Sequence, residues 1–539
     1  MTAMLLFNKS KRELLIAYLG SLLFLFFQFI GYSLTVSDGL SAKAVLFSVL
    51  SAALAAVPAA WLLVGAVNSA WLHKALSCSG RSRKLSFTVI FIILLCLWIP
   101  AFLAFYPGIT AYDTKLQLPQ FFGGELTTHH PLIHTLLMGW IVSLGYSLTG
   151  SYNVGMALYC FLQLFFLALV TAYGIYTLHS LRVPRWLILL ISSFYALFPL
   201  FPLLGISSTK DVFFAAFFML AIILLIKLLE RRSKKMTAVL FAAVLAISML
   251  FRNNAVYAAA AALLVLLISL FVCTNRRFVL RLSAAVLAAV IAAQAGFAFL
   301  QKSTNAADGS IAEILSVPCQ QIARVYSYRY YDLTGEELTA ITNFIRLGAL
   351  DYYSPTLADP IKGNLITEVF KDAPMDFFRL WTGLGARFPL VFTDAFLYNT
   401  MPLWYVADRS ILTVKNVYLE MNFYEMNCLL SQESKLPSLN SFYREQMEEG
   451  KILDIPVLSL FAVMAVYTWL LFAAFLTLIA KRKYECLILA ALPLTYLATL
   501  LLGPCILPRY CLAAIMCTPL VLAYLVHLTN ENEVKRNER

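Results

Sequence analysis

The sequence predicts an all-α polytopic membrane protein of about 12 transmembrane helices, with juxtamembrane helices in the first large outer loop and a small extracytoplasmic domain inserted before the last three helices. Three observations predict it. Of the 539 residues, 61% are hydrophobic and only 13% charged, more apolar surface than a soluble chain can enclose. Apolar runs recur at 14–35, 44–72, 86–106, 212–229, 256–273, 282–300, 457–480 and 511–528, matching the roughly 20-residue requirement of a bilayer span. Lysines and arginines collect in short clusters between runs, at 9–12, 81–84, 231–235, 276–281, 481–483 and 535–539, as they do in cytoplasmic loops.

The formal charge of +12 raises the question of a nucleic-acid partner. Its distribution answers it: the cations mark loop topology and form no continuous basic face, so the expected surroundings are the lipid bilayer and no nucleic acid. Ten cysteines are scattered without a Cys-x-x-Cys pair, and those inside apolar runs behave as small apolar residues. Cys319 and Cys428 alone fall in the long polar stretch, which leaves one extracytoplasmic disulfide open. The N-terminus is basic, but its apolar run is too long for a cleaved signal, so it is expected to stay as the first span.

The elements follow in order. Residues 1–85 form a two-helix extension entered from a cytoplasmic N-terminus, and the run 86–106 leads out again. Residues 107–130 therefore lie outside. Counting back from the basic C-terminal tail puts 481–483, 276–281, 231–235 and the 182–185 turn inside. The same count puts 205–211, 252–254, 301–456 and 503–509 outside. The two counts agree only if 131–148 is not a full span. That run is short, carries Gly139 and Gly145, and starts from Thr127-Thr128-His129-His130-Pro131; it is expected to lie at the outer face. The count then leaves 86–300 as the membrane core, with a large outer loop at 106–151. Residues 301–455 have ordinary globular composition and the length of one small outer domain. Residues 456–539 close the chain with the last spans and a cytoplasmic tail, in a bacterial plasma membrane. No internal repeat of the transporter kind is evident.

Four short motifs fall on the outer face. In the first, Pro107-Gly108 ends a helix and Asp113 follows beside Lys115 and Gln117. Asp113 either caps the helix that opens after it or stands free as a carboxylate able to act as general base. In the second, His129, His130 and His134 surround Pro131. Histidines can bind metal, but three of them without a fixed carboxylate make an incomplete ligand set, and proline suits a helix start. The third, Ser207-Ser208-Thr209-Lys210-Asp211, opens a helix, with Arg252-Asn253-Asn254 at the mouth between two later spans. Charges at such depth are functional candidates. The fourth is Pro508-Arg509-Tyr510 at the start of the last span. The planar fork of Arg509 suits phosphate oxygens, although an interfacial arginine also snorkels.

Acid, base and phosphate-binding groups on one membrane face fit an enzyme acting on a lipid phosphate. At this level the layout resembles the type C glycosyltransferase (GT-C) superfamily, which includes protein O-mannosyltransferases and lipid A aminoarabinose transferases. Tyr112-Asp113 resembles the acidic position of their first outer loop. His130-Pro131-Leu132 resembles the juxtamembrane element, Lys210-Asp211 falls where a second outer-loop acid is found, and Arg509-Tyr510 resembles a late Arg-Tyr motif. The nearest likeness is to a bacterial membrane-protein subgroup with Pro-Gly…Asp…Gln, His-His-Pro, Lys-Asp and Arg-Asn-Asn elements. Thr114 stands where the mannosyltransferase pattern has a second acid, and the spans before residue 86 are extra to the minimal core.

The resemblance implies transfer of a sugar from a polyprenyl-phosphate donor to a glycan, lipid or protein acceptor. Asp113 would be the base, and Lys115, Gln117, His129, His130, Lys210, Asp211, Arg252, Asn253, Arg509 and Tyr510 would bind substrate. No cofactor is required by it, and a divalent metal stays open. Two readings compete. A transporter or flippase of lipid-linked sugars or other amphiphiles would carry charges midway along its spans, where this sequence has almost none. A membrane-anchored assembly protein would act through 301–455.

Overall fold

The structure is a computed structural model that describes residues 11–77, 85–230, 235–409, 419–426 and 429–537, with side chains described as far as residue 531. The basic cluster 81–84, most of 231–235 and Cys428 lie outside the described residues.

Lipid offers no partner to backbone N–H and C=O groups, so the apolar runs satisfy them as helices. In chain order these are α1 (Lys11–Ser37), α2 (Ala42–Val67), α3 (Phe87–Ala104), α4 (Thr114–Phe121), α5 (Leu132–Thr149) and α6 (Tyr152–Leu178). Next come α7 (Arg185–Leu197), α8 (Lys210–Glu230), α9 (Lys235–Phe251), α10 (Ala255–Ser269) and α11 (Arg276–Thr304). The segment between α11 and the last helices contributes α12 (Ser316–Arg329) and α13 (Pro389–Thr400), and α14 (Met464–Ala480), α15 (Ile488–Leu500) and α16 (Pro508–Asn537) follow.

Among the described residues, eight helices are long and apolar enough to cross a membrane: α1, α2, α3, α5, α6, α8, α11 and α16. Helices α7, α9, α10, α14 and α15 are shorter apolar helices. The run 457–480 is split rather than continuous: a short helix, Leu458–Ala462, precedes α14, and Val457 just before it has φ +69°.

Side-chain oxygens open several of these helices. Ser41 accepts from the Ala44 N–H, Ser151 from Val154, and Asn275 from Phe278, each satisfying a donor that has no partner in the first turn. Burial separates centre from rim. Of the apolar stretch of α8, 83% is buried inside the protein, against 17% for α1. Helix α2 turns Leu54 and Leu62 outward, as a lipid-facing rim does.

Contacts between loops gather the helix ends into two faces. On one, Arg12 at the start of α1 donates to Ile479 O and to the Tyr484 hydroxyl at the end of α14. Trp186 donates to Ala75 O, and Asn530 to Leu76 O and Arg182 O. His527 accepts from the Arg182 N–H and lies 3.0 Å from Glu230. On the other face, the Leu40 N–H donates to Asp394, Thr128 N–H to Ala307 O, Ala358 N–H to Pro504 O, and Asn399 to Gly503 O.

Helix α5 begins and ends on this second face. At its start, His130 is within 3.2 Å of Lys210. Beyond its end, Asn153 donates to Ser431 O, while the Glu433 N–H reaches back to Tyr106 O just past the end of α3. Its second residue beyond Leu132, His134, meets Tyr159 only about two turns into α6. Helix α5 therefore runs obliquely across α6. Gly145 allows the crossing, because a Cβ there would strike the backbone of Gly155.

Residues 312–392 enclose a hydrophobic core of their own, which includes Cys319, Ile322, Phe344, Phe377 and Phe392. Beyond it, Tyr398, Met401, Leu403, Leu430, Ile452 and Leu453 pack instead into the main core. Arg324, 1% exposed, ties this small domain to the turn between α1 and α2. It lies 3.6 Å from Asp394 and donates to Asp38 O.

Candidate active site

The site is assembled where two loops are stitched together. The Ile109 N–H donates to Ile206 O at 3.0 Å, and the Ser208 N–H returns to Ile109 O at 2.8 Å. The Thr114 hydroxyl adds a bond to Ser208 O at 2.7 Å. Gly108 makes this approach feasible. Its φ of +139° is open to glycine alone, and a Cβ would collide with the Cys160 side chain. From α6, Gln163 braces the second loop by donating to Gly205 O and Ser207 O.

This register sets Asp113 against Lys210. Asp113 occupies the N-cap position of α4, yet its side chain makes no cap bond. The carboxylate turns instead to Lys210, whose Nζ lies 2.5 Å from Oδ2, with Arg509 3.8 Å from Oδ1. Asp211, 1% exposed, pairs with Arg252 and lies 3.9 Å from Arg509 Nε. The Arg252 guanidinium covers the Tyr510 ring at 4.5 Å, and Asn254 holds its Nε at 3.1 Å. Three cations thus face two buried carboxylates, and the Glu420 carboxylate also acts on Arg509. Arg509 Nε and His130 Nε2 are buried without a hydrogen-bond partner among the described residues.

Burial acts to raise the Asp113 carboxyl, but the Lys210 and Arg509 charges outweigh it and hold the group well below the usual carboxylate range. His130 is pushed down to about 3, first by burial and then by the Lys210 charge, so it is neutral at physiological pH.

Behind this layer runs a buried polar chain. His134 meets Gln117 at 3.1 Å and the Tyr159 hydroxyl at 2.7 Å, and Tyr159 donates to Gln163. It links the first turn of α5 to the loop that presents Lys210.

Of the residues singled out in the sequence, Asp113, His130, Lys210, Asp211, Arg252, Arg509 and Tyr510 come together. Gln117 lies one layer behind, bonded to Thr135 and His134. Three others stand apart. His129 packs its ring on His130 but faces Glu313 at 3.9 Å. Lys115 lies over the rings of Tyr112 and Tyr424. Asn253 is exposed, and its neighbour Asn254 supports Arg252 instead. Tyr159 and Gln163 carry no sequence signal, since lone polar residues in apolar helices resemble ordinary fillers until their partners are known.

Among the described residues, no three His, Cys, Asp or Glu side chains gather as a metal site. Asp113 and Asp211 each face a cation, a donor set that suits a phosphate group better than a divalent ion.

A family model described as a family of unknown function (DUF6020) matches residues 119–539. The matched span takes in His130, Lys210, Asp211, Arg252 and Arg509 and begins after Asp113 and Gln117. No curated protein and no solved structure matches the chain.

Proposed function

The chain belongs to this family, DUF6020, and we propose that it is a membrane glycosyltransferase moving a sugar from a polyprenyl-phosphate donor to an extracytoplasmic acceptor. The observation that carries the reading is the Asp113 carboxylate set 2.5 Å from Lys210 and 3.8 Å from Arg509, with Arg252 alongside. This is a base position surrounded by phosphate-binding groups.

In the reaction, the acceptor hydroxyl oxygen attacks C1 of the sugar, and Asp113 takes the hydroxyl proton. The bond from C1 to the phosphate oxygen breaks, and its electron pair stays on the carrier phosphate. That phosphate gains a negative charge as it leaves, and Arg509, Arg252 and Lys210 stabilise it. A carboxylate held so far below its ordinary range is a weak base. The donor phosphate relieves this, because it competes with Asp113 for Lys210 and Arg509. His130 Nε2 and Arg509 Nε, which make no hydrogen bond among the described residues, add polar groups for the sugar or phosphate.

The topology that serves this chemistry has 12 crossing helices. They are α1, α2, α3, α6, α8, α11 and α16 together with the five shorter ones, with α5 lying at the outer face. Its support is the placement of both ends of α5 on the site face. The face that bears Arg12, Arg182 and Lys481 is then cytoplasmic by the positive-inside rule, with both termini there, in a bacterial plasma membrane.

The test is transfer of a labelled sugar from a polyprenyl-phosphate donor by the full chain in nanodiscs. Asp113→Asn and Arg509→Ala are each expected to lower the rate by about 10²-fold or more. Wild-type rates in both variants would sink the reading.

A further inference from the structure

The outer domain carries a second candidate binding site, away from Asp113. A cleft of about 390 Å³ is lined by Tyr326, Ser327, Tyr330, Leu350, Asp351 and Tyr353. The rings of Tyr326 and Tyr330, one helical turn apart, lie 5.3 Å from each other, and Tyr331 follows at 5.5 Å from Tyr330. Tyr331 is 99% exposed and Tyr352, beside the cleft, 73%. Such a cluster of exposed rings on one small domain marks a recognition surface.

The walls are fixed from behind. Tyr353 accepts from Arg324, and Tyr328 donates to Asp38. The Asp351 carboxylate faces Tyr326 closely enough to push that hydroxyl's pKa up, after burial and Tyr330.

We propose that this tyrosine cleft is a carbohydrate-binding site. A pyranose ring has an apolar C–H face that lies flat on an aromatic ring, and an edge of hydroxyls that a carboxylate accepts. Exposed tyrosines beside Asp351 present both, and the cleft volume is at the small end of the range for ligand sites, right for one or two sugar units. Tyrosines also gather at membrane interfaces, but a carboxylate within the patch is repelled by anionic headgroups.

Two short chain links and one hydrogen bond connect the cleft to the reaction site. Tyr353 is five residues from Ala358, which bonds Pro504 O, and Arg509 is five residues further on. Each of those links spans at most about 18 Å. On the transferase reading, which this extension rests on, the cleft holds the far part of a glycan acceptor whose near end reaches Asp113.

Binding and turnover separate the two ideas. The full chain in detergent micelles is titrated with cellotriose, maltotriose, mannotriose and chitotriose by calorimetry. At least one is expected to bind. Tyr326→Ala and Tyr330→Ala should each weaken it by on the order of tenfold, Tyr326→Phe and Tyr330→Phe should keep most of it, and Asp351→Asn should reduce it. Asp113→Asn should bind as wild type does even where it no longer transfers sugar. The carbohydrate site is overturned if none of the trisaccharides binds, if the alanine variants bind unchanged, or if Asp113→Asn alone abolishes binding.

Discussion

Lys210 Nζ lies 2.5 Å from Asp113 Oδ2, closing a contact between residues 97 positions apart. The pair explains why Asp113 leaves the cap bond of its own helix unmade: a buried ammonium gives it a stronger partner than two backbone N–H groups at a short helix end. It also means that the proposed base is at rest until another anion draws Lys210 away.

Lys210→Gln removes that partner while keeping a hydrogen-bonding side chain. The expected outcome is a donor KM raised by about tenfold or more, because a phosphate contact is lost. The Asp113 carboxyl should also rise toward the ordinary range. Kinetics at varied donor concentration together with carboxyl infrared titration check both. An unchanged KM would remove Lys210 from the phosphate site.

Arg252→Ala leaves Asp211 buried without its main counter-charge. Breaking a buried pair from one side costs about 3–5 kcal/mol, read as a lowered unfolding temperature in detergent. The double variant Asp211→Asn with Arg252→Gln should recover part of the loss. If Arg252→Ala is as stable as the wild type, the pair is not the brace its burial indicates.

His130 gives a pH signature. Its folded pKa is lowered to about 3, while in the unfolded chain it titrates near 6.5. Above about pH 6.5 it is neutral in both states and contributes no pH dependence. Below that, the unfolded chain takes up a proton that the folded one refuses, so stability falls as pH drops from about 6.5 toward 3. Between pH 6.5 and 5 the loss is about 2 kcal/mol. Asp113 adds almost no slope in this window: its folded pKa is depressed, so its contribution is complete above the ordinary carboxyl pKa of about 3.9 and is lost as pH falls below that. His130→Gln should therefore flatten the dependence of unfolding temperature on pH between 6.5 and 5, and equal slopes in both proteins would contradict it.

The oblique course of α5 is open to chemical mapping. Glu125→Cys and Ser147→Cys, on exposed positions at either end of the helix, should both react with a membrane-impermeant maleimide added outside intact cells. Labelling of position 147 only after permeabilisation would make α5 a true span and change the side assigned to every element before it.

The membrane class was written into the sequence, because burial of apolar side chains and satisfaction of the backbone in lipid depend on composition and run length alone. The two-faced arrangement was legible for a related reason. Arg12, Lys481 and the 182–185 turn, all basic, fall together on one face. The chemical types of the site were also legible in Asp113, Lys210, Asp211, Arg252 and Arg509.

What only the tertiary structure decided is which of these groups meet. That depends on register between distant segments: the Ile109 and Ile206 strands of loop that bond each other, the glycine at 108 that lets them approach, and the crossing of α5 over α6 at Gly145 and Gly155. Such contacts brought His130 to Lys210 and sent His129 to Glu313, though the two histidines are adjacent in the chain. Asn254 holds Arg252, while Asn253 points to solvent. Neighbouring residues on a loop carry the same chemistry in sequence, and only the direction each takes in space tells them apart.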